Sequence, residues 1–157
     1  KWIDMNKGKN INQDYRSRVV AMEFNQYSHP SLYAATPPLE AIRYIPHRAA
    51  INRRGPRCCV MTVDVKRVYL NAIPAREVFI EIPKEDRVDG DADKVGLLQL
   101  CLYGTRNAAF DLGETVARQL EGCGFKRGRA FPLVFYSESS DVTIMGHGDD
   151  YLASGAP

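Results

Sequence analysis

Long apolar runs are missing from this 157-residue chain. No stretch approaches the ~18 to 20 consecutive apolar residues that a bilayer crossing needs. The polar start Lys1-Trp2-Ile3-Asp4-Met5-Asn6-Lys7 also lacks the apolar core of a signal peptide. Neither membrane insertion nor secretion is expected. Cysteine is scarce: Cys58, Cys59, Cys101 and Cys123 show neither the paired spacing of a zinc site nor the density of a disulfide scaffold, and a reduced intracellular setting is the simpler account. Of three histidines, His29 and His47 have no ligand-like partners and read as surface or loop residues. The stretch holding Asp86, Asp89, Asp91 and Asp93 lacks the acid spacing and closing glutamate of a calcium loop, so it reads as a solvated connection. Internal repeats and low-complexity segments are absent.

What is present is a chain 45% hydrophobic, enough for the core of one domain or of part of a larger one. Its first residue is not methionine and it stops at Pro157, seven residues after Asp150, which reads as a cut from a longer coding region. Charge is +2 overall but uneven: residues 1–60 hold 10 Lys+Arg against 4 Asp+Glu, and residues 61–157 hold 11 against 15. A basic front suits phosphates and an acidic back suits divalent cations; ordinary solvated surface is the alternative.

Local pattern predicts an α+β fold. Trp2 to Met5 alternates into the turn-forming Asn6-Lys7-Gly8-Lys9-Asn10, and a second strand runs from Arg16 to Phe24. After a loop around Ser28-His29-Pro30-Ser31, Thr36 is the N-cap candidate of a helix towards Ala50, which Pro46 either ends or kinks. Residues 58–64 read as the clearest buried strand, Glu77 to Ile82 as another, and Val95 to Leu102 as a third. Ala109, Leu112, Val116, Leu120 and Cys123 share one face of a helix stopped by Gly124. Phe131 to Tyr136 and Val142 to His147 form a strand pair.

Chemistry concentrates in three acids. Asp149 and Asp150 are flanked by Thr143-Ile144-Met145-Gly146-His147-Gly148 and Tyr151-Leu152-Ala153, the pattern of a hairpin carrying two carboxylates at its tip. With 11 aspartates in the chain, about 0.8 such pairs are expected by chance. The weight comes from Asp64, which ends the apolar run Cys58-Cys59-Val60-Met61-Thr62-Val63. Three acids on strand ends can hold two metal ions.

In their order and spacing these residues resemble the reverse transcriptase of Ty1/copia-type retrotransposons, over nearly the whole chain. The similar segments are Val63-Asp64-Val65-Lys66-Arg67-Val68-Tyr69-Leu70-Asn71-Ala72, Glu77-Val78-Phe79-Ile80-Glu81-Ile82-Pro83 and Cys101-Leu102-Tyr103-Gly104-Thr105-Arg106-Asn107-Ala108-Ala109. Gly124-Phe125-Lys126-Arg127, the strand from Phe131 and the double-aspartate hairpin follow in the family's order, and Tyr15-Arg16-Ser17-Arg18-Val19-Val20-Ala21 is similar to its basic fingers strand. The resemblance implies a palm, an antiparallel sheet packed on helices, plus part of the fingers. It makes 1–157 a single partial domain, 1–57 mainly fingers and 58–157 mainly palm, truncated after the hairpin and lacking thumb, RNase H and integrase.

The same resemblance implies an RNA-directed DNA polymerase fragment of a retrotransposon polyprotein. Its partners would be an RNA or DNA template-primer and deoxynucleoside triphosphates, and its cofactor two Mg2+ ions, with Mn2+ as an alternative. Its place would be a cytoplasmic particle or the nucleus. Asp64 and Asp149 would bind both ions, with Asp150 completing the cluster. Tyr69 would lie under the incoming sugar and exclude a 2′ hydroxyl; a core tyrosine is the alternative. Arg18 and Arg16 would reach the triphosphate, unless they belong to a solvated strand face. Gly104 would let backbone approach the nucleotide, and Arg106 and Asn107 would line the template side; otherwise Tyr103-Gly104 is a turn.

Departures from the family pattern include Gly148 for a bulkier residue, His147 for an aromatic, Ala109 for a proline and Leu112 for a tryptophan. They fit a divergent lineage or a decaying copy, and a fragment without a thumb is expected to be weakly active or inactive. The competing readings are a noncatalytic nucleic-acid-binding remnant and an unrelated metal-dependent phosphohydrolase using the same acids.

Overall fold

A computed structural model describes residues 1–9, 11–23, 36–51 and 58–156. Among the described residues the fold is mixed α/β, with two α-helices and three antiparallel sheets. Strands β1 (Trp2–Asn6) and β2 (Tyr15–Val19) form a hairpin in which Trp2 faces Val19 and Asn6 faces Tyr15. The Asn6 side chain accepts the N–H of Gly8 at 2.9 Å and of Asp14 at 3.0 Å, which fixes the connection. β2 is shorter than the run to Phe24 that alternation predicts, and Phe24 and the loop around His29 lie outside the described residues.

Helix α1 spans Leu39–Ile51. It begins later than a Thr36 cap implies, with the Pro38 carbonyl accepting the N–H of Ala41 and Ile42. Pro46 neither ends nor shortens it. A proline inside a helix costs roughly 3 kcal/mol, and anchors on both sides of it offset that cost. Ile45 is buried at 1% exposure. Arg48 pairs with Asp141 and donates to the buried Thr143 hydroxyl at 2.9 Å.

The main sheet has five strands in the order β3 (Cys59–Asp64), β9 (Asp150–Gly155), β8 (Val142–His147), β7 (Val134–Ser137) and β6 (Lys126–Arg127). Phe135, Met145, Ala153 and Ser154 are buried within it. Its first strand corrects an expectation: β3 is exposed along its whole length, not buried. It is an edge strand whose one strand partner among the described residues is β9, and an apolar run reads the same at a sheet's edge as at its centre.

β4 (Phe79–Glu81) and β5 (Val95–Leu97) make a separate two-stranded sheet, and residues 98–102 do not continue β5. Cys101 is instead pinned by its N–H to the Ala72 carbonyl at 2.8 Å. Helix α2 covers Ala108–Gly122 and stops at Gly124 as expected, with the Gly124 and Phe125 N–H groups bonded to the Glu121 and Leu120 carbonyls. Its buried face is rotated from the predicted one. Ala108, Asp111, Leu112 and Ala117 are buried, while Cys123 is exposed. Val68, Ala72, Cys101, Ala108 and Leu112 form one core cluster, against which Val65, Tyr69 and Val116 pack. All four cysteines are unpaired. Among the described residues no helix is long and apolar enough to cross a membrane.

Candidate active site

Asp64 is the last residue of β3 and Asp150 the first of β9, and the register makes them direct cross-strand partners. Side chains of such partners lie on the same face of the sheet, with Cβ atoms about 4.5 to 5.5 Å apart. Residues separated by 86 positions in sequence are thus neighbours. β8 and β9 are joined by the two-residue turn Gly148-Asp149, because His147 pairs with Asp150. Gly148 has φ of +64°, which the first position of such a turn demands and which a bulkier residue would resist. Asp149 lies within the turn, and its carbonyl accepts the Val65 N–H at 2.9 Å. The acid opposed to Asp64 is therefore Asp150, while Asp149 is joined to β3 through its backbone.

The Asp149 carboxylate is felt elsewhere. Burial, then Tyr103, then Asp149 push the Tyr69 hydroxyl above the usual tyrosine range, and burial followed by Asp149 does the same at Tyr151. Tyr151 is the neighbour of Asp150 on β9 and points to the opposite face, where it covers Gly146; a Cβ on Gly146 would meet its ring at 2.8 Å. Two carboxylates thus share one face and the third acts on two phenols. Among the described residues no group of three His, Cys, Asp or Glu side chains stands ready to hold a metal ion. The donor chemistry nevertheless fits a hard cation: the Asp64–Asp150 pair offers the oxygen ligands that magnesium takes, with a third carboxylate one residue away.

Tyr69 follows β3 in a short 3-10 turn, Val68–Asn71, which Asn71 ties down by donating to the Arg67 and Val68 carbonyls. Its ring meets Tyr103 edge-on, with centroids 4.7 Å apart and planes at 79°. The Arg18 guanidinium lies 6.0 Å from the centre of the Tyr103 ring, within cation–π range. Arg16 makes a long, exposed pair with Asp14 at 3.6 Å. A cavity of about 180 Å³ is lined by Tyr69, Leu112, Gly146, His147, Gly148 and Tyr151 among others, and none of the three acids lines it.

The family model described as reverse transcriptase (RNA-dependent DNA polymerase) matches residues 1–156. The chain belongs to that family, of the Ty1/copia type. No curated protein and no solved structure matches it.

Two predicted residues of this reverse transcriptase chain, Arg106 directly and Asn107 through Arg76, are tied to one carboxylate that sequence reasoning missed. Glu23 accepts the Arg106 backbone N–H at 3.0 Å and pairs with Arg76, whose Nε donates to the Asn107 side chain at 3.3 Å. Asn107 therefore holds Arg76 and does not cap α2 with its side chain. The segment after β2 pairs with this loop as well: the Ala21 N–H donates to the Tyr103 carbonyl at 2.8 Å and that of Glu23 to Gly104 at 3.2 Å. Gly104 is needed for this close approach. Its φ is +86°, and a Cβ there would sit 2.0 Å from the Ala21 carbonyl oxygen. The backbone that approaches Gly104 is thus the chain's own. No local signal in the sequence marks Glu23, which lies 83 residues from Arg106. A separate cleft of about 730 Å³, lined by Glu23, Arg76, Phe79, Lys84 and Leu102 among others, lies away from the acids.

Proposed function

We propose that the chain is part of an RNA-directed DNA polymerase, from a copia-type retrotransposon polyprotein, that adds deoxynucleotides to a primer 3′ hydroxyl. An RNA or DNA template-primer and deoxynucleoside triphosphates are its partners, and two magnesium ions its cofactor. Residues 1–57 then act mainly as fingers and 58–157 mainly as palm. The observation that carries this reading is the strand register opposing Asp64 to Asp150, with Asp149 adjoining, in a chain of the reverse transcriptase family.

Asp64, Asp150 and Asp149 would hold the metal. When bound there, magnesium supplies a Lewis acid that eases loss of the primer hydroxyl's proton and neutralises the leaving pyrophosphate. Tyr69 would carry the sugar on its ring, where a 2′ hydroxyl would collide with it. Its hydroxyl is neutral near neutral pH, as an ordinary tyrosine is, and burial raises its pKa further, so it adds no negative charge where triphosphate must enter. Arg18 would donate to the phosphates as a planar, permanently charged fork. Arg106 and Asn107, steadied through Glu23 and Arg76, would line the template side.

Single-nucleotide extension of a primed template tests the proposal. Weak, magnesium-dependent extension is expected. Asp64→Asn and Asp149→Asn should each lower its rate about a thousandfold, the several kcal/mol of charge stabilisation that a bound metal supplies. Extension indifferent to both substitutions sinks it. Salt-sensitive nucleic-acid binding without extension would point to a noncatalytic binding protein, and phosphoester cleavage without template to a phosphohydrolase.

A further inference from the structure

Tyr103 stands where three parts of the chain meet. Its ring lies edge-on against Tyr69 at 4.7 Å between centroids. The Arg18 guanidinium lies over the same ring at 6.0 Å. Its backbone carbonyl is held by the Ala21 N–H at 2.8 Å, and the next residue, Gly104, is locked against Ala21 so closely that no side chain fits. β2, which carries Arg18, thus sets where the Tyr103 ring stands, and that ring sets where the Tyr69 ring stands. Tyr69 also packs against the buried cluster of Val68, Ala72, Cys101, Ala108 and Leu112, so its ring is held by the core on one side and by Tyr103 on another.

The geometry points to Tyr103 as a positioning residue for sugar discrimination, one that holds the Tyr69 ring in place and links it to Arg18. The inference rests on the polymerase reading above and adds to it the residue on which choice between deoxyribose and ribose depends. An edge-on aromatic pair confines its partner ring, since the positive ring edge of one prefers the negative face of the other. With Tyr103 gone, the Tyr69 ring can swing aside and admit a 2′ hydroxyl. Ribonucleotide use should therefore rise while deoxynucleotide use holds.

The test compares wild type, Tyr103→Leu, Tyr103→Met and Tyr103→Phe in single-nucleotide primer extension with deoxy- and ribonucleotides. Met is the second, unbranched filler, so that the outcome does not hang on one substitution folding. Leu and Met should lower discrimination roughly three- to tenfold, the range an edge-on ring pair is worth, through a lower KM for the ribonucleotide at an unchanged kcat for the deoxynucleotide. Phe should behave as wild type. In parallel, NMR of 13C-tyrosine-labelled protein, with Tyr69 assigned from Tyr69→Phe, should show the Tyr69 ring resonances moving in the Leu and Met variants and not in Phe. Unmoved resonances overturn the inference. Moved resonances with unchanged discrimination overturn it too, leaving the polymerase reading intact. Absence of extension by wild type under any metal condition removes the polymerase reading and this inference with it.

Discussion

Cys101 shares its burial with a carboxylate, at 1% exposure against 4% for Asp111. The thiol donates to Asp111 Oδ2 at 3.9 Å, and the same oxygen accepts the Ala75 N–H at 3.3 Å. Burial first and Asp111 second push the Cys101 thiol from its ordinary 9.0 up to about 11. Both causes disfavour the thiolate. The folded protein therefore keeps a proton that the unfolded chain releases, and this contribution to stability is whole below pH 9 and drains away as pH rises towards 11. The slope for one proton is at most about 1.4 kcal/mol per pH unit. Cys101→Ser retains the volume and the donor but does not titrate in this range, so it should lose stability more slowly than wild type between pH 9 and 10.5. Urea midpoints at pH 8, 9.5 and 10.5 measure this. Parallel declines in the two proteins would mean that the buried thiol plays no part.

At the scale of elements, α1 is the segment that pays for a conflict between its letters and its place. Pro46 has no N–H for the Ile42 carbonyl and its ring crowds that turn. The helix persists because Ile45 is buried and Arg48 reaches Thr143 and Asp141, with its guanidinium over the Tyr136 ring at 5.8 Å. Pro46→Ala should therefore stabilise the protein by about 1 to 3 kcal/mol, read as a higher urea midpoint at unchanged slope. A midpoint that stays or falls would show that the helix is adapted to the proline. The same contrast explains what was legible beforehand. The β8–β9 hairpin was readable because apolar residues flank two acids, whereas Gly148 read only as a departure from the family pattern and its turn conformation needed the fold. The α2 boundaries were readable from their spacing, but its buried face was not, since Asp111 is buried by Cys101 and Ala75 and an apolar count passes over it. The exposure of β3 was hidden because composition does not tell an edge from a centre. Glu23 was hidden because its partners lie far along the chain. Of the candidate site, the acids and Tyr69 could be named from motif order, whereas the Tyr103 contacts needed the fold.

For the molecule as a whole, bringing Asp64 to the double-aspartate turn leaves β3 at the edge of the sheet with Val60, Met61 and Val63 at 45%, 58% and 40% exposure. An edge strand offers unpaired N–H and C=O groups, and with apolar side chains it becomes a template for pairing with another chain. Charge does little to oppose this, because the whole chain carries only +2 and weak net charge permits association. Met61 is the place to intervene: it is the most exposed of the three, and it lies three residues from Asp64, outside the acidic pair. A lysine there would face solvent and repel its counterpart on an approaching copy. Met61→Lys should reduce light scattering of a concentrated sample during mild heating, while urea stability stays within about 0.5 kcal/mol of wild type, as expected of an exposed site. Scattering that does not change would locate self-association on another surface, and a large loss of stability would mean that Met61 is packed in a way its exposure denies.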